Sequence, residues 1–105
     1  MVKIVAFVRK KDGLTQDAFR TYWQEHHAAV VAALPGLRKY VQNPALDMGG
    51  RREWPYDGVA ELWFDDVDAV RAAFEGEEAA RVREDEPNFT KAIDWFLATE
   101  FPVKG

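Results

Sequence analysis

Four short runs in this sequence read as strands, the first with a β-branched bias and three with period-two alternation, and only two helical stretches lie among them. The strands are expected at Val2 to Val8, Leu37 to Asn43, Tyr56 to Phe64 and about Trp95 to Phe101, the last closed by Pro102. After a Lys10-Lys11-Asp12-Gly13 turn, Thr15 is placed to cap the first helix and Asp17 to favour its positive end. That helix runs to about Leu34, where Pro35-Gly36 stops it. Asp65-Asp66 caps a second helix from Val67 to about Glu75; Gly76 interrupts it, Glu77 to Glu84 resumes it, and an acidic turn follows around Pro87. Ala45 to Pro55, with Gly49-Gly50 and the run Arg51-Arg52-Glu53, reads as an irregular loop. The order is β-α-β-β-α-β, the split βαβ pattern of ferredoxin-like α+β folds.

Two helices cover only one face of a four-stranded sheet, so the other face becomes informative. Val2, Ile4, Ala6 and Val8 alternate with Lys3, Val5, Phe7 and Arg9; Tyr56, Gly58, Ala60, Leu62 and Phe64 alternate with Asp57, Val59, Glu61 and Trp63. In the last strand Trp95, Leu97, Thr99 and Phe101 oppose Asp94, Phe96, Ala98 and Glu100. With the first set of each strand under the helices, Val5, Phe7, Val59, Trp63 and Phe96 share the uncovered face. An apolar patch of that size is unusual on a monomer, and pairing two sheets face to face would bury it. The expected assembly is a homodimer. Glu61, mid-strand on that face, is expected to pair with Lys3 or Arg9.

A chain of 105 residues has the length of one domain, taken here as 1–105. A net charge of -4 and the lack of a basic stripe argue against a nucleic-acid partner. The longest apolar run, Ala28 to Leu34, falls far short of the roughly 20 residues of a membrane helix. The chain has no cysteine and its start lacks a signal-peptide layout, so a cytoplasmic protein without disulfides or thiolate metal sites is expected.

Chemistry is concentrated on the first helix. At about 100° per residue, Phe19, Tyr22, Trp23, His26, Val30, Ala33 and Leu34 fall on one stripe, with His26 near its centre and His27 on the flank. A histidine there titrates near neutrality and can pass a proton, although a packed, hydrogen-bonded histidine has the same signature. The two side chains diverge by about 100° and do not chelate one metal easily, so no metal is expected. Ala6, Gly58 and Ala60 leave room between helix and sheet, where Tyr22, Trp23 and Phe64 could wall an apolar pocket and Tyr40 supply a hydroxyl. The same small residues would also serve close packing alone. Glu84-Asp85-Glu86 reads as a solvated turn.

Tyr22-Trp23, three residues and His27, followed by Leu34-Pro35-Gly36-Leu37 and Tyr40-Val41-Gln42-Asn43, resembles the EthD family. Tyr56 to Phe64, Asp85-Glu86 and Asn88-Phe89 continue the likeness over nearly the whole chain. The resemblance implies a dimeric α/β barrel of ferredoxin-like subunits. It also implies a family linked to ether degradation by a monooxygenase system and similar to cofactor-free polyketide dehydratases, decarboxylases and methylmuconolactone isomerase. The family histidine maps onto His27, whereas the helical wheel favours His26. Ala29 stands where family members often carry proline. Three functions follow as expectations: a cofactor-independent isomerase, dehydratase or decarboxylase acting on an aromatic, polyketide or lactone compound through His27 or His26; a non-catalytic carrier in an oxidative pathway; and, by analogy with related barrels, a haem-binding protein with a histidine axial ligand.

Overall fold

A computed structural model describes residues 1–50 and 53–105; Arg51 and Arg52 of the expected loop run lie outside the described residues. Strands β1 (Val2–Lys10), β2 (Lys39–Pro44), β3 (Gly58–Phe64) and β4 (Thr90–Ala98) form one sheet in the order β2-β3-β1-β4, with antiparallel neighbours throughout. This is the ferredoxin-like arrangement. Between β1 and β2 the chain runs through α1 (Gln16–Thr21), a π-helical turn (Tyr22–His27) and α2 (Ala28–Ala32). Between β3 and β4 it runs through α3 (Val67–Ala73), α4 (Glu77–Asp85) and a 3-10 turn (Glu86–Asn88). No helix among the described residues is long and apolar enough to cross a membrane.

The caps follow the sequence. The Thr15 hydroxyl accepts from Ala18 N–H at 3.0 Å, and the Asp66 carboxylate accepts from Ala69 N–H at 2.8 Å. Gly36, at φ 77°, makes the left-handed turn that ends the first helical stretch. The expected fourth strand is displaced: it begins at Thr90 and ends at Ala98, while Phe101 lies outside it and is 87% exposed. The reason is its edge position. A strand paired on one side only tolerates the polar pair Thr90-Lys91 at its start, where apolar alternation gives no signal. The third strand starts two residues later than expected, because Asp57 is drawn into a junction: its carboxylate accepts from Lys10 N–H at 2.7 Å and from Gln16 Nε2 at 2.8 Å.

The core lies between the helices and one sheet face. Ile4, Val8, Leu62 and Phe64 from the sheet meet Phe19, Trp23, Val31 and Val82 from the helices. On the opposite face Phe7 stacks on Phe96 at 6.0 Å between ring centres and meets Tyr56 at 5.1 Å. Glu61 pairs with Lys3 at 2.7 Å, and the ammonium groups of Lys3 and Lys39 lie 5.1 and 4.7 Å from the Trp63 ring centre. Arg9 instead lies over Tyr56 at 4.9 Å. Phe96 is half exposed. The uncovered face is thus apolar with a charged seam, as the alternation predicts.

Candidate functional site

The histidine helix is not a regular one, and this decides which histidine faces inward. Phe19, Trp23, His27 and Val31, each four residues from the next, are all buried. On a regular helix a four-residue step lands about 40° further round each time, so such a row would wind off its face. The π turn over Tyr22–His27 removes that drift: Ala28 N–H donates to the Trp23 carbonyl five residues back. His27 is therefore 5% exposed, whereas the His26 side chain is 61% exposed. The wheel's placement of His26 at the stripe's centre is corrected, because one extra residue per turn rotates everything beyond it. Gln42 on β2 also donates to the Trp23 carbonyl, at 2.9 Å, and so ties the widened turn to the sheet.

His27 is braced from behind. Its Nδ1 meets Asp85 Oδ2 at 2.7 Å, and Asp85 Oδ1 accepts from the Tyr22 hydroxyl at 2.5 Å and from Asn88 Nδ2 at 3.1 Å. Asp85 closes α4 and is 7% exposed, so the expected solvated turn is instead the anchor of the site. Burial pulls the Asp85 carboxyl upward, but hydrogen bonds from Tyr22, His27 and Asn88 outweigh it and hold the group below the usual carboxylate range. Asp85 is thus an acceptor at neutral pH. It fixes the proton of neutral His27 on Nδ1 and leaves Nε2 as the basic nitrogen. Burial lowers the His27 pKa, the bond to Asp85 and its charge raise it in part, and His26 lowers it slightly; the net shift is downward. The Phe89 ring packs on the imidazole at 4.5 Å between centres.

His27 lines a cavity of about 550 Å³ between the helices and the sheet. Ala6 and Ala60, which face each other across β1 and β3, form part of its floor, and Trp23 and Tyr40 part of its walls. The Tyr40 oxygen accepts from Gln42 Nε2 at 2.7 Å, and burial pushes its pKa up to about 12. The hydroxyl therefore stays protonated and, since it accepts from Gln42, keeps its own proton for another partner. Arg71, Arg83 and Glu86 add charge to the lining, and Trp95 and Leu97 are its exposed apolar part.

Of the six residues singled out from the sequence, His27, Trp23 and Tyr40 line this cavity. Three do not. His26 faces outward and its ring lies against Tyr22 at 4.7 Å. Tyr22 stands behind the imidazole as a partner of Asp85, and Phe64 is fully buried against Phe74. Gly58 makes room for Trp23 rather than for a ligand, since a Cβ there would lie 2.6 Å from two atoms of the indole. Asp85, Asn88, Gln42 and Glu86 escaped the residue-by-residue reading. The family resemblance, whose quoted segments include Gln42, Asp85, Glu86 and Asn88, is the one signal that points to them.

Residues 11–92 match the family model described as EthD domain. No curated protein matches the chain. Among solved structures, the chain is similar to an ethyl tert-butyl ether d (EthD) family protein of Bacillus halodurans, with TM-score 0.81 and 22% identity over 96% of this chain and 99% of that one. It is similar to a dimeric ferredoxin-like protein of Thermobifida fusca, with TM-score 0.72 and 17% identity over 94% and 90% of the two chains. It is also similar to SnoaB, a cofactor-independent oxygenase of Streptomyces nogalater, with TM-score 0.70 and 18% identity over 97% and 94%. These likenesses establish the fold. With most of its length accounted for by the one family model, the chain belongs to the EthD family.

Proposed function

We propose that this protein is a cofactor-independent enzyme that moves a proton on a small, largely apolar compound of aromatic, polyketide or lactone type. The observation that carries the reading is the pairing of His27 with Asp85 at 2.7 Å on the wall of an apolar cavity. A neutral imidazole with its Nδ1 proton anchored presents Nε2 as a general base, a role that accelerates proton transfer by about 10²–10⁴-fold. The lowered His27 pKa keeps the ring neutral at physiological pH. Removal of a proton beside a carbonyl places charge on the carbonyl oxygen, and the Tyr40 hydroxyl, oriented by Gln42, is the donor to receive it. Such an anion can isomerise, lose a leaving group or react with oxygen; oxygenation is the activity named for SnoaB.

The second part of the proposal concerns assembly. The apolar sheet face, with Phe96 half exposed, fits a second copy of the chain, and the similar protein of Thermobifida fusca is described as dimeric.

The test uses 5-nitrobenzisoxazole, an apolar aromatic ring that opens when a base removes one C–H proton. The expected result is ring opening well above the buffer rate, lost in His27→Ala while the fold and assembly state are kept. Equal rates for the two proteins would refute the base and leave a carrier role in its place.

A further inference from the structure

The cavity contains a second titratable group that the base reading leaves without a task. Glu86 follows Asp85 directly and opens the 3-10 turn. Its backbone is fixed, since the carbonyl accepts from Thr90 Oγ1 at 2.7 Å and from Phe89 N–H at 3.2 Å. Its side chain lines the same cavity as His27, yet among the described residues the carboxyl has no hydrogen-bond or ion-pair partner. A half-buried carboxyl without a donor is poorly solvated as an anion. Burial raises its pKa, Arg83 lowers it in part and Asp85 raises it again, with a net upward shift. One turn of chain therefore points two carboxyls in different directions. Asp85 braces the imidazole as an anion, and Glu86, beside the cavity, holds its proton more tightly than a free glutamate does.

We propose that Glu86 is the general acid of the site, protonating an oxygen that leaves the substrate as His27 takes a proton from carbon. This rests on the proton-transfer reading above and narrows its substrate class to carbonyl compounds with an oxygen leaving group on the β carbon. In the step, the C–H bond beside the carbonyl breaks and its proton passes to His27 Nε2. The electron pair forms the new carbon–carbon double bond, and the β C–O bond breaks. The departing oxygen takes the Glu86 proton and leaves neutral, as water where the group is hydroxyl. No electrons are gained or lost. A proton then returns from the imidazolium to the carboxylate, directly or through water. Environments that push a base down and a carboxyl up are those that divide acid and base work within one site.

Benzisoxazole and its 5-nitro derivative test this assignment, because both break the same C–H and N–O bonds but the unsubstituted ring releases an oxygen in greater need of a proton. Glu86→Gln is expected to slow the unsubstituted compound by about 10²-fold and the nitro compound by less than about tenfold. It should also erase the alkaline limb of the kcat/KM–pH profile. The ionisable neighbours that brace or line this part of the cavity (Arg83, Arg71, Asp85, His27 and Tyr40) are unchanged in that variant. In the wild-type protein, the dependence of rate on leaving-group acidity should be shallower than for the same series in acetate buffer, a measurement that needs no variant. Equal slowing of both compounds, an unaltered alkaline limb or a wild-type dependence as steep as acetate's would overturn the acid role and leave the His27 base standing. Activity indifferent to His27→Ala would instead overturn the reading beneath it.

Discussion

Asp85→Asn keeps the shape of the buried side chain and removes its charge, which separates bracing from packing. In the native site Oδ2 serves His27, and Oδ1 serves both Tyr22 and Asn88. A carboxylate offers two accepting oxygens and an amide only one. If the amide oxygen stays with Tyr22 and Asn88, the new NH₂ group faces His27 Nδ1. That nitrogen must then accept, which drives the ring proton onto Nε2, the position meant to act as base. If the amide turns the other way, His27 keeps its tautomer but Asn88 faces a second donor. Hydrogen bonds to a charged group contribute about 1.5–3 kcal/mol, and the easier burial of a neutral amide offsets part of the loss. A net destabilisation of about 1–3 kcal/mol follows. With an unfolding entropy of about 2.1 cal/mol/K per residue over 105 residues, each kcal/mol lowers the midpoint by about 4.5 °C. The expected fall is thus roughly 5–14 °C.

The rate should suffer more than the fold. The wrong tautomer removes the proposed general base, a loss on the order of 10²–10⁴-fold in opening 5-nitrobenzisoxazole. Asp85 also holds the His27 pKa up against burial, so any residual activity should have its acid limb at lower pH. Thermal unfolding at fixed protein concentration and kcat/KM against pH read the two effects separately. A variant that melts with the wild type and opens the probe at the wild-type rate would refute the bracing role.

Three further outcomes follow from the geometry. Gly58→Ala places a methyl 2.6 Å from two atoms of the fully buried Trp23 ring and should cost about 1–3 kcal/mol. Trp23→Phe, which lacks those atoms, should recover part of the cost in the double variant; additive losses in a double-mutant cycle would contradict the clash. Because the folded His27 pKa lies below its unfolded value of 6.5, its contribution is full above that pH and is lost as pH falls towards the folded value. Asp85, depressed below 3.8, adds a second loss in stronger acid. A wild-type midpoint that stays flat between about pH 7 and 5, or a slope there that survives in His27→Asn, counts against the first statement. Phe96→Asp puts a charge on the half-exposed sheet face and should yield a folded monomer by sedimentation; an unchanged dimer would move the interface elsewhere.

The fold was legible because it depends on apolar order along the chain. Helix caps at Thr15 and Asp66, the stop at Gly36 and the two-faced alternation of β1 and β3 are local or periodic signals, and the structure follows them. Misplacement of β4 has the opposite cause: an edge strand needs no continuous apolar face, so Thr90 to Asp94 gave no signal. The choice between the histidines turned on one π turn. A wheel assumes a constant angle, and the extra residue between Trp23 and Ala28 is a tertiary compromise, secured by Gln42 from a strand far along the chain. Asp85 was hidden for a related reason. An acidic run reads as solvated until a distant hydroxyl and imidazole are known to lie against it.

The same strands that hold the cavity also shape the face behind it, and this links pocket to assembly. At the middle of the sheet Ala6 pairs with Ala60, and the next pair, Phe7 with Val59, points the other way. Small residues stand on the cavity side and large ones on the uncovered side. A buried leucine cut back to alanine costs about 2–5 kcal/mol, so two alanines facing each other forgo stabilisation that larger residues would have supplied. For a domain whose total margin is about 5–15 kcal/mol that is a heavy concession. Burial of Phe7, Val59 and Phe96 against a second copy can return stabilisation of the same order, at about 25 cal/mol per Å² of apolar surface. An empty floor under His27 is thus tolerable in a chain this short because the reverse side of the same strands has something to bury.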